Sequence, residues 1–525
     1  MPQNAAVMTK GRILWVDDEI DLLRSHIMVL SEKGYTVETA TNGEDAVALV
    51  KAKSFDLVFL DEMMAGMGGL QTLTVIKDLR PGVPVIMITK NESEGLMEEA
   101  IGGKISDYLT KPVNPSQILL TCKKFLEGKK IAEEYASRDY IKEFNEISRA
   151  LQASPGAEDW INVYDKLAAS SLELDLHSES ILRQSLGEQI REANVEFSKF
   201  IERNYRNWLE QKKRPTLSVD VTEQYLIPEL GKGRSVVLFV VDCLRLDQWL
   251  MMESVLREYY DITREYYFSI LPTATPYSRN SIFSGTFPDE IEVRFPEIWA
   301  QWEDDDNSRN KYEHQFLDNL LERRKIVLKP ESKYLKILDP EFGRAVEQNI
   351  LTYSKNPLTA IVLNFVDMLA HGRSDSQLLK EIAPDEAAYR SLTRTWFMHS
   401  SFFAMLRTLS RQKNVTVILT TDHGSIRTLR STKVVGDREA STSLRYKYGR
   451  NLKCDERHAL FVKNPADFRL PRRGVTVNYL IAKEDYYFVY PTEFHKYVNQ
   501  YRDSFQHGGI SMEEMILPVV KLEPK

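Results

Sequence analysis

Along residues 12–126, short apolar stretches alternate with amphipathic segments: ILWV, TVETA, LVFL, VPVIMIT and DYLT recur with helically spaced text between them. Strands that read apolar at successive positions are buried on both faces, as in parallel sheets covered by helices, so the rhythm predicts a doubly wound α/β domain. From about residue 128 to 213 the pattern changes to long segments, KKIAEEYASRDYIKEFNEISRALQ and SILRQSLGEQIREANVEFSKFIERNYRNWLEQ, with apolar residues at helical spacing. Ser154-Pro155-Gly156 interrupts them, and an all-α helical bundle is expected here. After Pro215 the strand and helix alternation returns with SVVLFVVD, AIVLNFVD and VTVILTTDHG, widely separated, which predicts a second and larger α/β domain. The expected domains are residues 1–126, 127–214 and 215–525.

Both α/β segments place acids at the carboxyl ends of their strands, where ligands of parallel sheets collect. Asp17 and Asp18 end the first strand, Asp61 the third, Thr89 and Lys90 the fourth, and Lys111-Pro112 follow the fifth. In the larger domain three strands are read as running into Asp242, Asp367 and Asp422. Carboxylates brought together at a sheet edge repel one another, and a cation is the usual way to offset that cost.

At 525 residues the chain is long enough for about three cores, and with 43% hydrophobic and 28% charged residues it has the composition of soluble globular material. Lys and Arg number 69 against 76 Asp and Glu, a net charge of -7. No global basic field is present to hold phosphates, so duplex DNA binding is not expected. The stretch MPQNAAVMTKGRILWVDDE has no signal-like apolar core, and the longest aliphatic runs, such as Val236 to Val241, are strand-sized. A cytoplasmic address without membrane insertion is expected. The three cysteines are dispersed with no CxxC pair, so a metal would have to be held by carboxylate and imidazole.

Taken alone, the first acid cluster marks an acidic sheet edge and fits a flavodoxin-like domain with a solvated patch. The ordered set Asp17, Asp18, Asp61, Thr89 and Lys111 resembles a CheY-like receiver. The resemblance implies that Asp61 is phosphorylated and that Asp18 and Asp61 hold Mg²⁺, with help from Asp17 and the backbone carbonyl of Met63. It further implies that Lys111 pairs with the phosphoryl oxygens. The Thr89 hydroxyl would swing to the aspartyl phosphate and let Tyr108 turn inward as the switch. One departure is Ala65 in DEMMAGMGG, where the family pattern DxxMPxMxG has proline; it bears on loop stiffness only.

The larger domain carries VDCLRLDQW with Asp242, LPTATPYSRNSIFSG with Thr273 and Thr275, NFVDMLAHGR with Asp367 and His371, TTDHGS with Asp422 and His423, and SFQHGGISMEEMILPV with His507. Each fragment by itself is compatible with a turn or a helix surface. Together, across residues 215–525, they resemble the alkaline-phosphatase superfamily and more closely its PglZ branch. That implies a two-metal hydrolase site, in which Asp367, His371 and His507 bind one ion and Asp242, Asp422 and His423 the other. Carboxylate and imidazole suit zinc or manganese, with zinc favoured by the imidazole share.

Two threonines compete as nucleophile. Related phosphodiesterases place a glycine ten residues after theirs, a separation that Thr275 and Gly285 have and Thr273 lacks. Arg279, four residues beyond Thr275, would reach a phosphate oxygen from a helix, or be a surface arginine. His495 is the reserve for His507, while His314, His399 and His458 are expected in solvated or core roles. The acidic run 303–306 is expected to be a solvated loop. By resemblance to the PglZ branch the substrate class is nucleotide or oligonucleotide phosphodiesters.

Receiver, helical middle and PglZ-type domain in one chain resemble the PorX-type response regulators of type IX secretion. The implied partners are a sensor histidine kinase, type IX secretion components and a sigma factor. Phosphorylation-dependent homodimerisation is expected through the helical middle. A rival reading is a receiver-regulated module that binds nucleotide or protein with a vestigial hydrolase site, acting through the sigma factor and secretion components. A DNA-binding transcription factor would need a basic groove reader, and the middle helices carry mixed charge.

Overall fold

A computed structural model describes residues 9–90, 105–176, 180–211, 213–297, 311–437, 441, 443–472 and 477–525. The acidic run 303–306 lies outside the described residues. The chain divides into two compact units, residues 1–139 and 140–525.

The first unit holds five strands, β1 (Arg12–Val16), β2 (Thr36–Ala40), β3 (Leu57–Asp61), β4 (Val85–Thr89) and β5 (Asp107–Thr110). They form one parallel sheet in the order β2-β1-β3-β4-β5. Successive residues of a strand face opposite sides, and the two cores follow that rule. Leu14, Val16, Val58 and Leu60 pack with Ala46, Val50, Leu73 and Ile76, which belong to helices Gly43–Ala52 and Gly69–Leu79. Ile13, Trp15, Leu57 and Phe59 pack on the other face with Leu30, Ile118 and Cys122. Asn42 caps one helix by accepting from the Asp45 N–H at 2.8 Å. Asn114 and Gln117 form a capping box that starts the last helix, Pro115–Cys122.

In the second unit β6 (Ser235–Val241), β7 (Tyr260–Phe268), β8 (Lys333–Ile337), β9 (Leu358–Leu363) and β10 (Val415–Thr420) come first. Seven shorter strands follow: β11 (Ile426–Thr428), β12 (Arg430–Lys433), β13 (Tyr446–Gly449), β14 (Ala459–Val462), β15 (Asn478–Ala482), β16 (Tyr486–Val489) and β17 (Ser504–Gln506). The last is β18 (Ile516–Pro524). The main sheet has the order β7-β18-β10-β6-β9-β8, with β10, β6, β9 and β8 parallel and β18 antiparallel to both neighbours. Val236, Leu238 and Val240 of β6 enter one core and Val237, Phe239 and Val241 the other.

The helical middle packs differently from a free-standing bundle between two domains. Helices Ala157–Asp175 and Ser180–Glu210 contribute Trp160, Phe197, Tyr205 and Trp208 to the same core as Val237, Phe239 and Phe268. The Phe197 and Trp208 rings lie 6.4 and 5.2 Å from that of Phe268. Full burial of an aromatic ring such as Phe197 is worth about 1.5–3 kcal/mol, so these contacts fuse the helices to the sheet. Among the described residues no helix is long and apolar enough to cross a membrane.

Candidate metal centre and phosphoacceptor site

In the first unit β1 and β3 are neighbours, with Val16 opposite Leu60, so their carboxyl ends bring Asp17, Asp18 and Asp61 together. One carboxylate oxygen from each lies within 4.8 Å of the others. Lys111, after β5, sits 3.0 Å by its Nζ from both Asp17 Oδ2 and Asp61 Oδ2. Burial pushes the Asp61 carboxyl above its ordinary value although Lys111 opposes the shift. Burial also pulls the Lys111 ammonium down, but its bonds to Asp17 and Asp61 outweigh that and hold it high. Three carboxylates against one ammonium leave a negative excess that a divalent ion offsets. The Thr89 hydroxyl donates to Glu62. Tyr108 is in the outward position with its ring exposed, and the Met63 side chain is exposed as well.

In the second unit the parallel register sets β6, β9 and β10 side by side, with Val240 opposite both Val362 and Thr420. Asp242 directly follows β6 and donates its N–H to the Leu363 carbonyl at 2.8 Å. Asp422 and His423 follow β10. Asp367 is not at a strand end as expected: β9 stops at Leu363, and Asp367 lies on the helix Phe365–Asp375. His371, four residues on, then shares its helical face, with Nε2 3.4 Å from Asp367 Oδ1. The hairpin-like segment after β17 delivers His507, whose Nε2 is 3.4 Å from His371 Nε2 and 3.6 Å from Asp367 Oδ1.

The six expected ligands fall into two triads, Asp367, His371 and His507, and Asp242, Asp422 and His423, each with donor atoms within 4.8 Å. The triads adjoin, since the His423 and His507 rings stack with centroids 4.2 Å apart. His423 Nδ1 donates to the Gly424 carbonyl at 3.1 Å, which leaves Nε2 as a lone-pair donor toward Asp242, 3.6 Å away, and Asp422, 3.7 Å away. Among the described residues Asp422 Oδ2 and His507 Nδ1 are buried without a hydrogen-bond partner, and Asp367 Oδ1 has the long 3.4 Å contact to His371. Carboxylate oxygens so poorly paired are costly in a protein interior, and two divalent ions satisfy them, so the residues fit the metals their family implies.

Electrostatics point the same way. Burial, with Asp422 and Asp367 adding to it and Arg279 opposing, pushes Asp242 up to about 7. Burial raises Asp422 too. Burial would also raise Asp367, but the bond to His371 holds it well below the usual carboxylate range. Burial depresses both His423 and His507, keeping the imidazoles neutral and able to ligate.

Thr275 begins the helix Thr275–Ser284, with Pro276 in its first turn. Its Oγ1 lies 3.0 Å from His423 Nε2 and 3.4 Å from Asp242 Oδ1. A helix N-terminus presents unpaired N–H groups and a partial positive charge, suited to anionic oxygens. Gly285 ends the same helix at φ 61°, and a Cβ there would meet Leu320 at 2.9 Å. The ten-residue interval is therefore the length of the helix that presents the hydroxyl. Thr273 has a different job: its Oγ1 donates to the Gly509 carbonyl at 2.8 Å and accepts from the Gly508 N–H at 3.1 Å, bracing the turn behind His507.

Arg279 lies deeper than either expected position. It has no exposed surface, its NH1 donates to Asp242 Oδ2 at 2.8 Å, and its Nε is 3.4 Å from Glu313 and 3.8 Å from Asp422. One turn past Thr275, on a helix buried all round, its NH1 reaches a ligand carboxylate while its NH2 has no hydrogen-bond partner among the described residues. Glu313 and the Arg445–Glu514 pair escaped notice in the sequence; Glu514 accepts from the Gly509 N–H at 2.8 Å and so shares the bracing of the His507 turn. Nothing local distinguishes these from surface charges, because their partners are distant in sequence.

The four other histidines singled out in the sequence stay out of the centre. His495 lies beside Phe494 on a separate helix, His314 stacks on Tyr334, and His458 stacks on Tyr486. His399 closes the helix Glu386–His399.

The architecture is that of a receiver joined to a metallohydrolase-type domain, and comparison with known proteins bears on both parts. The family described as BREX system PglZ alkaline phosphatase-like domain matches residues 221–522, the response regulator receiver domain residues 13–123, and the PorX response regulator linker domain residues 130–209. The chain belongs to the PglZ alkaline phosphatase-like family and has the PorX-type architecture of receiver, linker and PglZ domain. It is a response regulator, and its receiver implies a histidine kinase partner.

Similar curated proteins include the alginate biosynthesis transcriptional regulatory protein AlgB of Pseudomonas syringae pv. tomato, 35% identical over 24% of this chain and 29% of that protein. The transcriptional regulatory protein ZraR of Klebsiella oxytoca is 32% identical over 32% of this chain and 37% of its own. The chain thus spans well under half the length of these relatives. Among solved structures, a CheY-like receiver domain protein from Methanospirillum hungatei is 32% identical over 22% of this chain and 94% of that one, with a TM-score of 0.22. The chemotaxis protein CheY4 of Vibrio cholerae is 29% identical over 22% and 98%, with a TM-score of 0.21.

Proposed function

We propose that this response regulator is phosphorylated on Asp61 and controls a two-metal phosphodiesterase that acts on nucleotide or oligonucleotide diesters. The observation that carries the reading is the meeting of six carboxylate and imidazole donors, in two triads, around the buried Thr275 hydroxyl at a helix N-terminus. Zinc or manganese at the triads supplies Lewis acidity and lowers the pKa of the hydroxyl it touches. Thr275 is the nucleophile, its Oγ1 lying beside His423 Nε2 and Asp242 Oδ1, which would hold the ion that lowers its pKa. The backbone N–H groups opening its helix hold a non-bridging phosphate oxygen. Arg279 neutralises the inner carboxylates.

In the receiver, Mg²⁺ is held by Asp18 and Asp61 with Asp17 and the Met63 carbonyl, Lys111 meets the phosphoryl oxygens, and Thr89 and Tyr108 carry the switch. The kinase is a sensor histidine kinase. Phosphorylation drives homodimerisation, and the output reaches type IX secretion components and a sigma factor in the cytoplasm. The test loads the full chain with Zn²⁺ and offers bis(p-nitrophenyl) phosphate, p-nitrophenyl phosphate and a short single-stranded oligonucleotide. Diester turnover that vanishes in Thr275→Ala is the expected result. No turnover with Zn²⁺ or Mn²⁺, or a faster monoester reaction, overturns it.

A further inference from the structure

Behind the metal centre, and separate from it, lies a cavity of about 450 Å³ between the helices Ala157–Asp175 and Ser180–Glu210 and the α/β part of the second unit. Its walls are apolar, with Leu167, Leu174, Leu186, Ile190 and Ile426 among the lining residues. A volume of this size suits a small organic molecule rather than a few waters.

Acids and arginines line it in nearly equal number, seven against six, so what distinguishes them is how each is paired. Asp175, Asp247, Glu386 and Glu513 line it against the guanidiniums of Arg245 and Arg390. Both arginines are committed: Arg245 to Asp247 and to Glu386 at 2.6 Å, and Arg390 to Asp175 at 2.8 Å and Asp247 at 3.0 Å. Glu513 has no ion pair within 4.0 Å among the described residues, and its carboxylate accepts from the Asn194 amide at 2.9 and 3.2 Å and from its own backbone N–H. Burial without a paired cation pushes this carboxyl up to about 7. The second observation is independent of the acids. Tyr164 lines the same cavity, is 4% exposed, and its hydroxyl has no hydrogen-bond partner. Burial, with the charges of Asp247, Glu513 and Glu386 adding to it and Arg245 opposing, pushes the titration of that hydroxyl well up. A buried orphan hydroxyl beside an unpaired carboxylate costs free energy that a donor-bearing ligand recovers.

We infer that this cavity is a binding site for a small organic cation, an alkyl or aryl ammonium whose charged end meets Glu513 and the Tyr164 hydroxyl while its carbon body lies on the apolar walls. An inorganic cation would leave the apolar walls unfilled, whereas the carbon body of an organic one covers them. The site backs onto the ligand loop: a Cβ on Gly424, next to His423, would lie 1.9 Å from the Glu513 carbonyl oxygen and 3.4 Å from Arg245 Cγ. It stands whether or not the hydrolase reading does, since its test reads binding alone.

Benzylammonium chloride and sodium benzoate, alike in shape and opposite in charge, are titrated calorimetrically into the full chain. The expected result is saturable one-to-one binding of benzylammonium and none of benzoate. Glu513→Gln, which keeps an acceptor for Asn194, weakens benzylammonium at least tenfold, and Tyr164→Phe weakens it severalfold, with both variants melting as the parent does. No saturable heat, equal binding of benzoate, or an unchanged affinity in a folded Glu513→Gln overturns the site. If Glu513→Gln melts early, Tyr164→Phe decides: unchanged affinity there overturns the site as well.

Discussion

Replacing Thr273 by Val separates bracing from chemistry. The substitution nearly keeps shape but strips the hydroxyl that donates to the Gly509 carbonyl at 2.8 Å and accepts from the Gly508 N–H at 3.1 Å. Thr273, Gly508 and Gly509 are all buried, so water cannot take over either bond. Leaving one buried N–H and one buried carbonyl unpaired costs about 2–4 kcal/mol. Thr275→Ala, by contrast, removes a hydroxyl whose neighbours are ligand side chains, and the loss to stability stays below about 1 kcal/mol. Guanidinium unfolding followed by tryptophan emission reads the second unit, since Trp15 alone of the seven tryptophans falls in residues 1–139. On diester turnover the order inverts. Thr275→Ala loses the reaction, on the order of 10³-fold or more, while Thr273→Val loses on the order of 10-fold to 100-fold through a displaced His507. A Thr273→Val protein of parental stability without turnover, or a Thr275→Ala protein that still turns over, would refute this division of labour.

Gly285→Ala forces a left-handed φ on a residue with a Cβ and drives that Cβ to 2.9 Å from Leu320; calorimetric or denaturant unfolding should register a loss of about 1–3 kcal/mol. Lys447 is buried with its Nζ on the Ser441 carbonyl, and burial lowers it to about 7. A lysine whose folded pKa lies below its unfolded value near 10.5 destabilises below pH 7, and the penalty fades as pH rises toward 10. The second unit should therefore gain stability between pH 7 and 9, and Lys447→Met should remove about one proton's worth of that slope in unfolding titrations. Lys111→Ala leaves Asp17 and Asp61 facing each other without the ammonium; labelling with acetyl phosphate in Mg²⁺ should fall at least tenfold, and Asp61→Asn should abolish it.

The strands were the most legible feature, because a run such as Val236 to Val241 buried on both faces leaves no polar alternative. The acids at their ends followed, and the partition into triads holds in space. Asp367 was misplaced because NFVD reads as a strand tail, whereas Asn364 turns the chain into a helix. The helical middle, matched as a linker domain over residues 130–209, was legible as a segment but its packing was not: periodicity reveals that Phe197 and Trp208 face something apolar, not that the something is Phe268. Arg279 and Thr273 depended wholly on tertiary partners, Asp242 in one case and Gly508 and Gly509 in the other. Spacing set Thr273 aside as nucleophile and put Arg279 one turn past Thr275, but it names neither residue's partners.

Metal content measured by plasma mass spectrometry on the full chain, after dialysis against Zn²⁺ and then metal-free buffer, tests the paired centre most directly. The receiver's oxygen-only cluster does not retain zinc through that dialysis. Two zinc ions per chain are predicted for the parent, and one each for Asp242→Asn and His507→Ala, with diester turnover lost in both variants. A parent that retains no zinc, or variants that keep two ions and full turnover, would contradict the account.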